Sequence, residues 1–246
     1  MEECGLFPPH GDSTERSVRL EAGAGGDSDG HIAKARTHHG VLPLPSGHDA
    51  GAVHRKIRVH PSREEAEAAV RTLIAWAGDD PARGGLRETP ARVVRSYSEL
   101  FGGYGVNPGA LLEKTFSEVG GYDELVVLKD IRLVSCCEHH MLPIIGKAHI
   151  GYLPDRRVVG ISKLARVVDG IARRLQIQEK MATDIAGVIQ TSLKPRGVGV
   201  VIEAEHCCMT LRGVNRPGAV MTASCLMGAI RDDARTRAEF LRLVRN

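Results

Sequence analysis

The chain has 246 residues and lacks the features of a membrane or exported protein. It contains no run of about 20 apolar residues, so no transmembrane helix is predicted. Its first residues, Met-Glu-Glu-Cys-Gly, lack the basic start and apolar stretch of a secretory signal. We therefore expect a cytoplasmic protein with no membrane partner.

A strong charge of one sign is also missing. The chain has 33 Lys and Arg residues against 30 Asp and Glu residues, which gives a formal net charge of +3. This mild excess does not favour a nucleic-acid partner, and it suits a small anionic ligand equally well. The sequence has neither an internal repeat nor a glycine motif of the kind that cradles phosphate.

The composition changes close to residue 58. Residues 1–58 are rich in Gly, Ser, Asp, His and Pro, and they lack apolar periodicity. Such a segment cannot bury enough apolar surface to offset the entropy lost on ordering. We interpret 1–58 as a disordered N-terminal extension and 59–246 as one folded domain.

Helix signals occur on both sides of a β-rich middle. Ser62 and Glu65 form a predicted capping box, and Thr89 is expected to cap a second helix with Pro90 in its first turn. Ser162 is predicted to cap a third helix. Later helices are expected over 178–193 and after Asp232 or Asp233.

Apolar and β-branched runs predict the strands. They cover residues 125–128, 131–134, 148–152, 198–205 and 220–226. The order helices, strands, helices, strands, helix differs from regular βαβ alternation. We therefore expect an α+β fold with a largely antiparallel sheet.

Two clusters of metal-binding residue types follow predicted strands, and they read Cys136-Cys137-Glu138-His139-His140 and His206-Cys207-Cys208-Met209. Among six cysteines in a reducing cytosol, metal or catalytic use is favoured over disulfides. Cys137 and His140 are separated by two residues, so one turn can present a thiolate and an imidazole to one ion. A single further ligand from the second cluster would leave a zinc site with an open position for water, as in catalytic sites.

An alternative to the three-ligand site is a closed structural site that uses Cys136 or Cys207 as fourth ligand. Cys207 and Cys208 should not both reach one ion if the local backbone is extended, because successive residues then point to opposite faces. His139 and His206 remain as non-ligand histidines. Each is a candidate for proton transfer near neutral pH, or else a hydrogen-bond partner of the ligands.

Positive side chains accompany these clusters. Lys163 and Arg166 share a helix face, Arg212 follows Cys208 by four residues, and Arg92 lies in the second predicted helix. A metal site with cations around it suits a phosphate-bearing substrate, although a solvated basic surface explains each cation alone. Glu179 could accept two parallel hydrogen bonds from guanine, or simply favour the start of its helix.

Several blocks of the sequence together resemble one family. They are Cys137-Glu138-His139-His140, Gly160–Arg166, Gln176–Glu179 and the block from His206 through Arg212 to Gly213, with Leu86–Val93 upstream. In this order they are similar to the sequence blocks of the GTP cyclohydrolase I family. The resemblance covers roughly residues 62–245 and leaves out the N-terminal extension.

The resemblance implies the tunnelling fold, an antiparallel sheet with helices packed on one side. It implies a ring-shaped homodecamer of two stacked pentamers, with sites at subunit interfaces. It places zinc on Cys137, His140 and Cys208, and it gives proton transfer to His139 and His206. The residues that it assigns to the substrate are Gln178 and Glu179 for guanine, and Ser162, Lys163, Arg166, Arg212 and a neighbour's Arg92 for the triphosphate.

The implied reaction is the hydrolytic opening of the imidazole ring of GTP at C8. Formate is released, and the ribose rearranges to give 7,8-dihydroneopterin triphosphate, the first step of pterin and tetrahydrofolate biosynthesis. Zinc is the implied cofactor, and the chemistry requires no redox cofactor. The alternatives are a paralogue that feeds a deazapurine or other specialised pathway, and a non-catalytic, zinc-stabilised binding protein of the same fold.

The chain departs from the family at several aromatic positions. Family members commonly carry Phe around Ile144-Ile145, Ile171 and Ile230, whereas this chain has only four Phe in total. Because the replacements are aliphatic, we expect these positions to remain buried.

Overall fold

A computed structural model describes residues 60–116 and 122–245, so the predicted extension over 1–58 lies outside the described residues. The α-helices that it describes are α1 (Arg63–Trp76), α2 (Thr89–Leu100), α3 (Ile161–Ala172), α4 (Gln178–Leu193), α5 (Cys207–Thr210), α6 (Ala229–Asp232) and α7 (Ala234–Arg245). The β-strands are β1 (Thr115–Phe116), β2 (Val126–Cys137), β3 (Pro143–Leu153), β4 (Val158–Val159), β5 (Leu175–Gln176), β6 (Gly197–His206) and β7 (Val220–Gly228). Within these two ranges, no helix has the length and apolarity needed to cross a bilayer.

The central element is a five-stranded sheet in the order β5-β2-β3-β6-β7. The pairs β2–β3, β3–β6 and β6–β7 are antiparallel, and only the two-residue strand β5 runs parallel to the end of β2. Strands β1 and β4 form a separate two-stranded ribbon. The predicted α+β class with a largely antiparallel sheet is therefore confirmed.

Strand β2 joins two strands that the sequence predicts separately. Its register with β3 shifts between Leu128 and Ile131, which marks a β-bulge. Asp130 lies in the bulge with φ of 57°, a left-handed conformation that Asp tolerates better than most residues. Its carboxylate forms an ion pair of 2.8 Å with Lys147 on β3. The polar pair 129–130 thus interrupts the apolar pattern without ending the strand.

Helices α3 and α4 cover one face of the sheet. Their apolar positions recur at helical spacing, and the fully buried ones include Leu164, Val167, Val168, Ile171, Met181, Ile185 and Ile189. These side chains pack in one core with alternate residues of β6, namely Val198, Val200 and Ile202. This contact fixes both helices on the sheet and so determines where the first turn of α4 lies.

Helix α7 lies on the opposite face of the sheet. Its Phe240 is fully buried with Val201, whose neighbours Val200 and Ile202 face the other core. The ring rests on Gly151 and Gly199, which are direct partners across β3 and β6. A Cβ atom at either glycine would come within 2.6 Å of a ring carbon. The predicted packing of helices on one side is therefore wrong for α7, because two facing glycines make room for an aromatic ring.

The predicted helix starts differ in outcome. The capping box is confirmed, because the hydroxyl of Ser62 accepts from the amide of Glu65 at 3.2 Å and the Glu65 carboxylate accepts from the Ser62 amide at 2.6 Å. Asp233 also caps α7, since its carboxylate accepts from the amide of Thr236 at 2.8 Å. Both starts carry a complete local signal in the sequence.

Two other predicted caps are wrong by one or two positions. Helix α3 begins at Ile161 with Gly160 at the cap position, so Ser162 lies inside the first turn. Helix α2 has Glu88 at its cap position and Thr89 as its first residue, while Pro90 lies in the first turn as expected. Neither helix has a side-chain cap, so contacts made elsewhere set the two starts.

Three of the four aliphatic residues that are predicted to remain buried are buried in the structure. Ile144 and Ile230 are fully buried, and Ile171 is only 2% exposed. Ile145, which points away from the α3–α4 core, is 49% exposed. The prediction of burial is thus confirmed for three positions and wrong for Ile145, because neighbouring residues of a strand face opposite sides.

Arg174 ties the segment before β5 to the rest of the fold. The side chain is buried, and its guanidinium donates to the carbonyls of Gly103, Gly170 and Val106 at 3.0 to 3.3 Å. The amide of Leu175 donates to the Tyr104 hydroxyl at 3.1 Å. These bonds hold β5 against the end of β2, directly before the start of α4.

His149 on β3 is buried in its neutral form. Its Nδ1 accepts a hydrogen bond from the amide of Asp130 at 3.2 Å, so a neutral ring carries its hydrogen on Nε2. Nε2 has no hydrogen-bond partner among residues 60–116 and 122–245, and the carboxylate oxygen of Glu203 lies 3.8 Å away. Burial lowers the pKa of His149, and this effect outweighs the rise caused by Asp130 and Glu203. The positive charges of Lys147 and Lys129 lower the pKa further.

We predict that acid destabilises the protein partly through His149. Because its pKa is lowered in the folded state, the unfolded chain binds the extra proton first. The stability contribution is complete above the ordinary histidine pKa of about 6.5 and falls as the pH drops below it, by at most about 1.4 kcal/mol per pH unit. His149→Asn retains an acceptor for the Asp130 amide but does not titrate. Denaturant unfolding at pH 7.5, 6.5 and 5.5 should therefore show a shallower loss in this variant than in the parent.

The matched control for this prediction is His60→Asn, since His60 is exposed and precedes α1. It should follow the pH dependence of the parent. The same acid loss in His149→Asn and in the parent would contradict the assignment.

Candidate active site

The ends of three strands meet at one edge of the sheet. Cys136 near the end of β2 pairs with Pro143 at the start of β3, and Ile144 pairs with His206 at the end of β6. The turn after β2 and the segment after β6 therefore lie side by side. Gln176 of β5 pairs with Cys137, which brings the start of α4 to the same edge.

The turn after β2 presents Cys137 and His140 together. The amide of Met141 donates to the Cys137 carbonyl at 2.8 Å, and the Cys137 amide donates to the Leu142 carbonyl at 2.8 Å. Met141 has φ of 55°, which reverses the chain into β3. As a result, Cys137 Sγ lies 3.8 Å from His140 Nδ1, as the two-residue spacing predicts.

A third candidate ligand comes from the segment after β6. One ligand atom each from Cys137, His140 and Cys208 lie within 4.8 Å of one another. A tetrahedral zinc ion, with sulfur at about 2.3 Å and nitrogen at about 2.0 Å, places its ligand atoms roughly 3.5 to 3.8 Å apart. The thiolate–imidazole–thiolate donor set therefore fits zinc in both chemistry and spacing.

The cysteines next to these ligands do not join the trio. Across residues 60–116 and 122–245, neither Cys136 nor Cys207 belongs to a group of three metal-binding side chains. The segment Cys207–Thr210 is a helical turn, so the condition of an extended backbone does not apply to Cys207 and Cys208. Burial, followed by the neighbouring thiol of Cys137, raises the pKa of Cys208. A bound metal would oppose this effect, because it binds the thiolate.

The two non-ligand histidines lie close to the trio. His139 Nδ1 lies 3.7 Å from Cys137 Sγ. His206 Nε2 lies 2.7 Å from the amide oxygen of Gln178, the first residue of α4. Burial lowers the pKa of His206, and Glu179 partly offsets this effect.

The side chain of Gln178 is fully buried, and all of its polar groups are used within the chain. Its amide nitrogen donates to the carbonyls of Ile202 and Met221, each at 2.9 Å. Glu179 is instead exposed, and its carboxylate forms no hydrogen bond among the described residues. Of the two adjacent residues that the resemblance assigns to guanine, Glu179 therefore has a carboxylate that is accessible to a ligand, whereas the polar groups of the Gln178 side chain are already hydrogen-bonded within the chain.

These groups line one cavity of about 350 Å³. Its lining consists of Cys137, Glu138, His139, Gln176, Ile177, Gln178, Glu179, His206, Cys208 and Met221. Most of these residues lie in the two clusters and the Gln176–Glu179 block, which the sequence singles out. Met221 carries no such signal, and it reaches the cavity because β7 pairs with β6.

Comparison with known proteins places this geometry in a family. A family model described as GTP cyclohydrolase I matches residues 66–245. The chain belongs to the GTP cyclohydrolase I family. A protein of Allorhizobium ampelinum named GTP cyclohydrolase 1 is 54% identical over 186 residues, covering 76% of this chain and 92% of its own. A Brucella suis protein of the same name is 55% identical over 190 residues, covering 76% of this chain and 89% of its own.

A solved structure is also similar over part of the chain. It is the crystal structure of the archaeosine synthase QueF-Like in the apo form, with a TM-score of 0.36 and 21% identity. The match covers 42% of this chain and 93% of that one.

The residues that the family resemblance assigns to the triphosphate lie in different places. Arg212 lies beside the candidate metal ligands, with one guanidinium nitrogen 3.3 Å from His140 Nε2. Ser162, Lys163 and Arg166 lie on α3, outside the lining of the 350 Å³ cavity. Arg166 lines a second cavity instead, and Arg92 on α2 forms an ion pair with Glu88. Of these residues, Arg212 is the one that contacts a candidate metal ligand among the described residues.

We predict that Cys208→Ala lowers the zinc content of the purified protein from roughly one ion per chain to a small fraction of that, because one of three ligands is lost. Cys207→Ala is the matched control and should retain zinc, as should His139→Ala. Metal content is measured by elemental analysis after dialysis against a weak chelator. Equal zinc in Cys208→Ala and the parent, or loss of zinc from Cys207→Ala, would refute the ligand assignment.

Proposed function

We propose that this protein is a zinc-dependent GTP cyclohydrolase. It opens the imidazole ring of GTP by hydrolysis, releases formate and forms 7,8-dihydroneopterin triphosphate. The observation that supports this most is one cavity lined by two of the three zinc-type ligands, Cys137 and Cys208, together with two non-ligand histidines and an exposed carboxylate. The two relatives named GTP cyclohydrolase 1, at 54% and 55% identity, support the same substrate.

Cys137, His140 and Cys208 would hold the metal. When bound there, zinc supplies Lewis-acid activation of water at neutral pH. Three protein ligands would leave one coordination position for water, as in catalytic zinc sites. Cys137 ends β2 and Cys208 lies in the helical turn directly after β6, so the sheet holds the two residues near each other.

His139 and His206 move the protons of the hydrolysis. Opening the ring requires that one proton leaves the attacking water and that another reaches the ring nitrogen that separates from C8. Both histidines line the cavity, and general acid–base catalysis by a positioned imidazole typically contributes about 10² to 10⁴ in rate. The presence of both histidines next to the ligand trio favours an enzyme over a non-catalytic binding protein.

Glu179 recognises the guanine. Its carboxylate has two oxygen atoms that accept in parallel, which matches the N1 and 2-amino hydrogens of guanine. Adenine has no such pair of donors on the corresponding edge. Glu179 lies in the first turn of α4, directly after Gln178, and lines the cavity next to the candidate metal site.

The triphosphate is bound partly by a neighbouring subunit. Arg212 comes from the same chain as the zinc ligands, whereas Ser162, Lys163 and Arg166 on α3, and Arg92 on α2, do not reach that cavity. A second chain that pairs along the sheet would bring its own cations to it. The ring-shaped homodecamer of the tunnelling fold provides this arrangement.

The edges of the sheet support such an assembly. Strand β7 is nine residues long and pairs only with β6, and the first part of β2 pairs only with β3 in the described chain. Long unpaired edges are normally covered in soluble proteins. Pairing of the β7 edge of one chain with the β2 edge of the next would continue the sheet around a ring.

The product would enter pterin and tetrahydrofolate biosynthesis in the cytoplasm. A pathway to a deazapurine or another specialised metabolite would begin with the same chemistry. No feature of the described cavity favours that alternative, so folate synthesis is the proposed role.

We predict that the zinc-loaded protein converts GTP to equimolar formate and a pterin product, detected by its fluorescence after oxidation. Guanosine, which lacks the triphosphate, should react far more slowly, because the cationic side chains then have no phosphate to bind. Glu179→Gln should lower kcat/KM for GTP by about 10²-fold or more, since the parallel charge-assisted bonds are lost.

The matched control for Glu179→Gln is Glu203→Gln, which changes an exposed carboxylate on the sheet away from the cavity. It should leave turnover unchanged. Folded, zinc-bound parent protein that releases no formate from GTP would sink the enzymatic proposal.

We also predict that two inactive variants restore activity when their subunits are mixed. Lys163→Ala removes a phosphate-binding cation and Cys208→Ala removes a zinc ligand. If these residues of one site come from different chains, random reassembly of equal amounts restores about a quarter of the sites. Co-expression with two affinity tags, followed by GTP turnover of the doubly purified protein, measures the gain.

The control for subunit mixing pairs Cys208→Ala with His140→Ala, because both ligands come from one chain and no intact trio can form. This mixture should stay inactive. Absence of any gain with Lys163→Ala would show that the cation and the zinc ligands of a site belong to the same chain.

A further inference from the structure

The amide of Gln178 connects three segments of the active-site edge. Its oxygen lies 2.7 Å from His206 Nε2, and its nitrogen lies 2.9 Å from the carbonyl oxygens of Ile202 and Met221. Ile202 belongs to β6 and Met221 to the adjacent strand β7. The side chain is fully buried, so water does not compete for these bonds.

These contacts determine which end of the amide is nitrogen. Backbone carbonyls only accept hydrogen bonds, so the group that touches two of them must be the amino group, with its two donors. The opposite orientation would place an oxygen against two carbonyl oxygens in a buried site. The amide oxygen must therefore face His206.

The orientation of the amide in turn determines the hydrogen position on His206. An amide oxygen only accepts, so a bond of 2.7 Å requires that His206 Nε2 carries a hydrogen. In the neutral ring the lone pair then lies on Nδ1. Among the described residues His206 Nδ1 forms no hydrogen bond, and His206 lines the cavity, so Nδ1 is the ring nitrogen left for the substrate.

We propose that Gln178 is a positioning residue that holds His206 in the tautomer with hydrogen on Nε2. Proton exchange between His206 and the substrate then runs through Nδ1. This inference rests on the proposed function, and it changes the role of Gln178 within it. The side chain of Gln178 holds the catalytic histidine, and guanine recognition by side chains falls to Glu179.

In this arrangement two backbone carbonyls determine the orientation of the imidazole of His206 through the amide of Gln178. The carbonyls of Ile202 and Met221 are fixed by the pairing of β6 with β7, in which Ala204 lies opposite Met221. They orient the amide, and the amide orients the imidazole. A rotation of the imidazole that exposed Nε2 to the substrate would break the bond to Gln178 and leave a buried oxygen unpaired.

The direct test is the tautomer of His206 in the zinc-loaded, full-length parent. Protein with ¹⁵N-labelled histidine rings is measured by magic-angle-spinning NMR at a fixed pH of about 8, where an ordinary histidine is neutral. The resonances of His206 are those missing from His206→Asn. A protonated Nε2 supports the proposal, and a protonated Nδ1 overturns it.

Gln178→Met tests the consequence for catalysis, because Met has a similar length but neither accepts from His206 nor donates to the carbonyls. We expect a kcat about 10- to 100-fold lower, a KM for GTP within about threefold of the parent, and mixed tautomers of His206. A KM raised tenfold or more with kcat unchanged would instead show that the side chain binds guanine, which overturns the proposal.

The matched control is Gln190→Met on the same helix, since Gln190 is half-buried and donates only to the Pro195 carbonyl. It should leave kcat and the His206 tautomer unchanged. If Gln178→Met does not fold, the NMR result on the parent still decides the matter. If the parent does not turn over GTP, the proposed function fails, while the tautomer is decided separately by the spectrum.

Discussion

The pairing of β3 with β2 on one side and with β6 on the other is the constraint on which the active site depends. It brings the turn after β2 and the segment after β6 to the same edge, although they are far apart in the sequence. The candidate ligands Cys137 and Cys208 meet for this reason alone. A register slip of one residue between β3 and β6 would turn His206 to the other face of the sheet and remove it from the cavity. Such a slip would also separate Gly151 from Gly199, which must lie opposite each other to make room for the ring of Phe240.

Much of the fold can be predicted from local patterns. The capping box at Ser62 and the bounds of α4 follow from signals within a few residues, and the structure confirms them. The cap at Ser162 is wrong, because a serine near a helix start is common both at the cap and in the first turn. The two predicted strands within β2 are one strand, since a bulge allows polar residues to interrupt the pattern without ending the pairing. The position of α7 could not be predicted, because it depends on two glycines in different strands.

In the candidate site, too, local sequence patterns predict some features and not others. The spacing of Cys137 and His140 predicts their convergence, since a single turn joins them. The choice of Cys208 over Cys207 required the resemblance to a family, and the proximity of Cys208 to Cys137 and His140 is consistent with that choice. The partners of Gln178 could not be predicted, because two of them are backbone carbonyls, which leave no trace in the residue types. The cations on α2 and α3 lie away from the cavity, which no pattern within one chain reveals.

Because Phe240, Gly151 and Gly199 are in contact, the effects of substitutions at these three positions depend on one another, although the positions are far apart in the sequence. A methyl group at either glycine collides with the ring, and a smaller side chain at position 240 leaves a void above two bare strands. Each single change is therefore costly, whereas a larger residue on a strand together with a smaller one on the helix keeps the volume constant. Sequence drift at this face of the sheet must proceed through coordinated pairs, and a scan of single substitutions will overstate how rigidly each position is fixed.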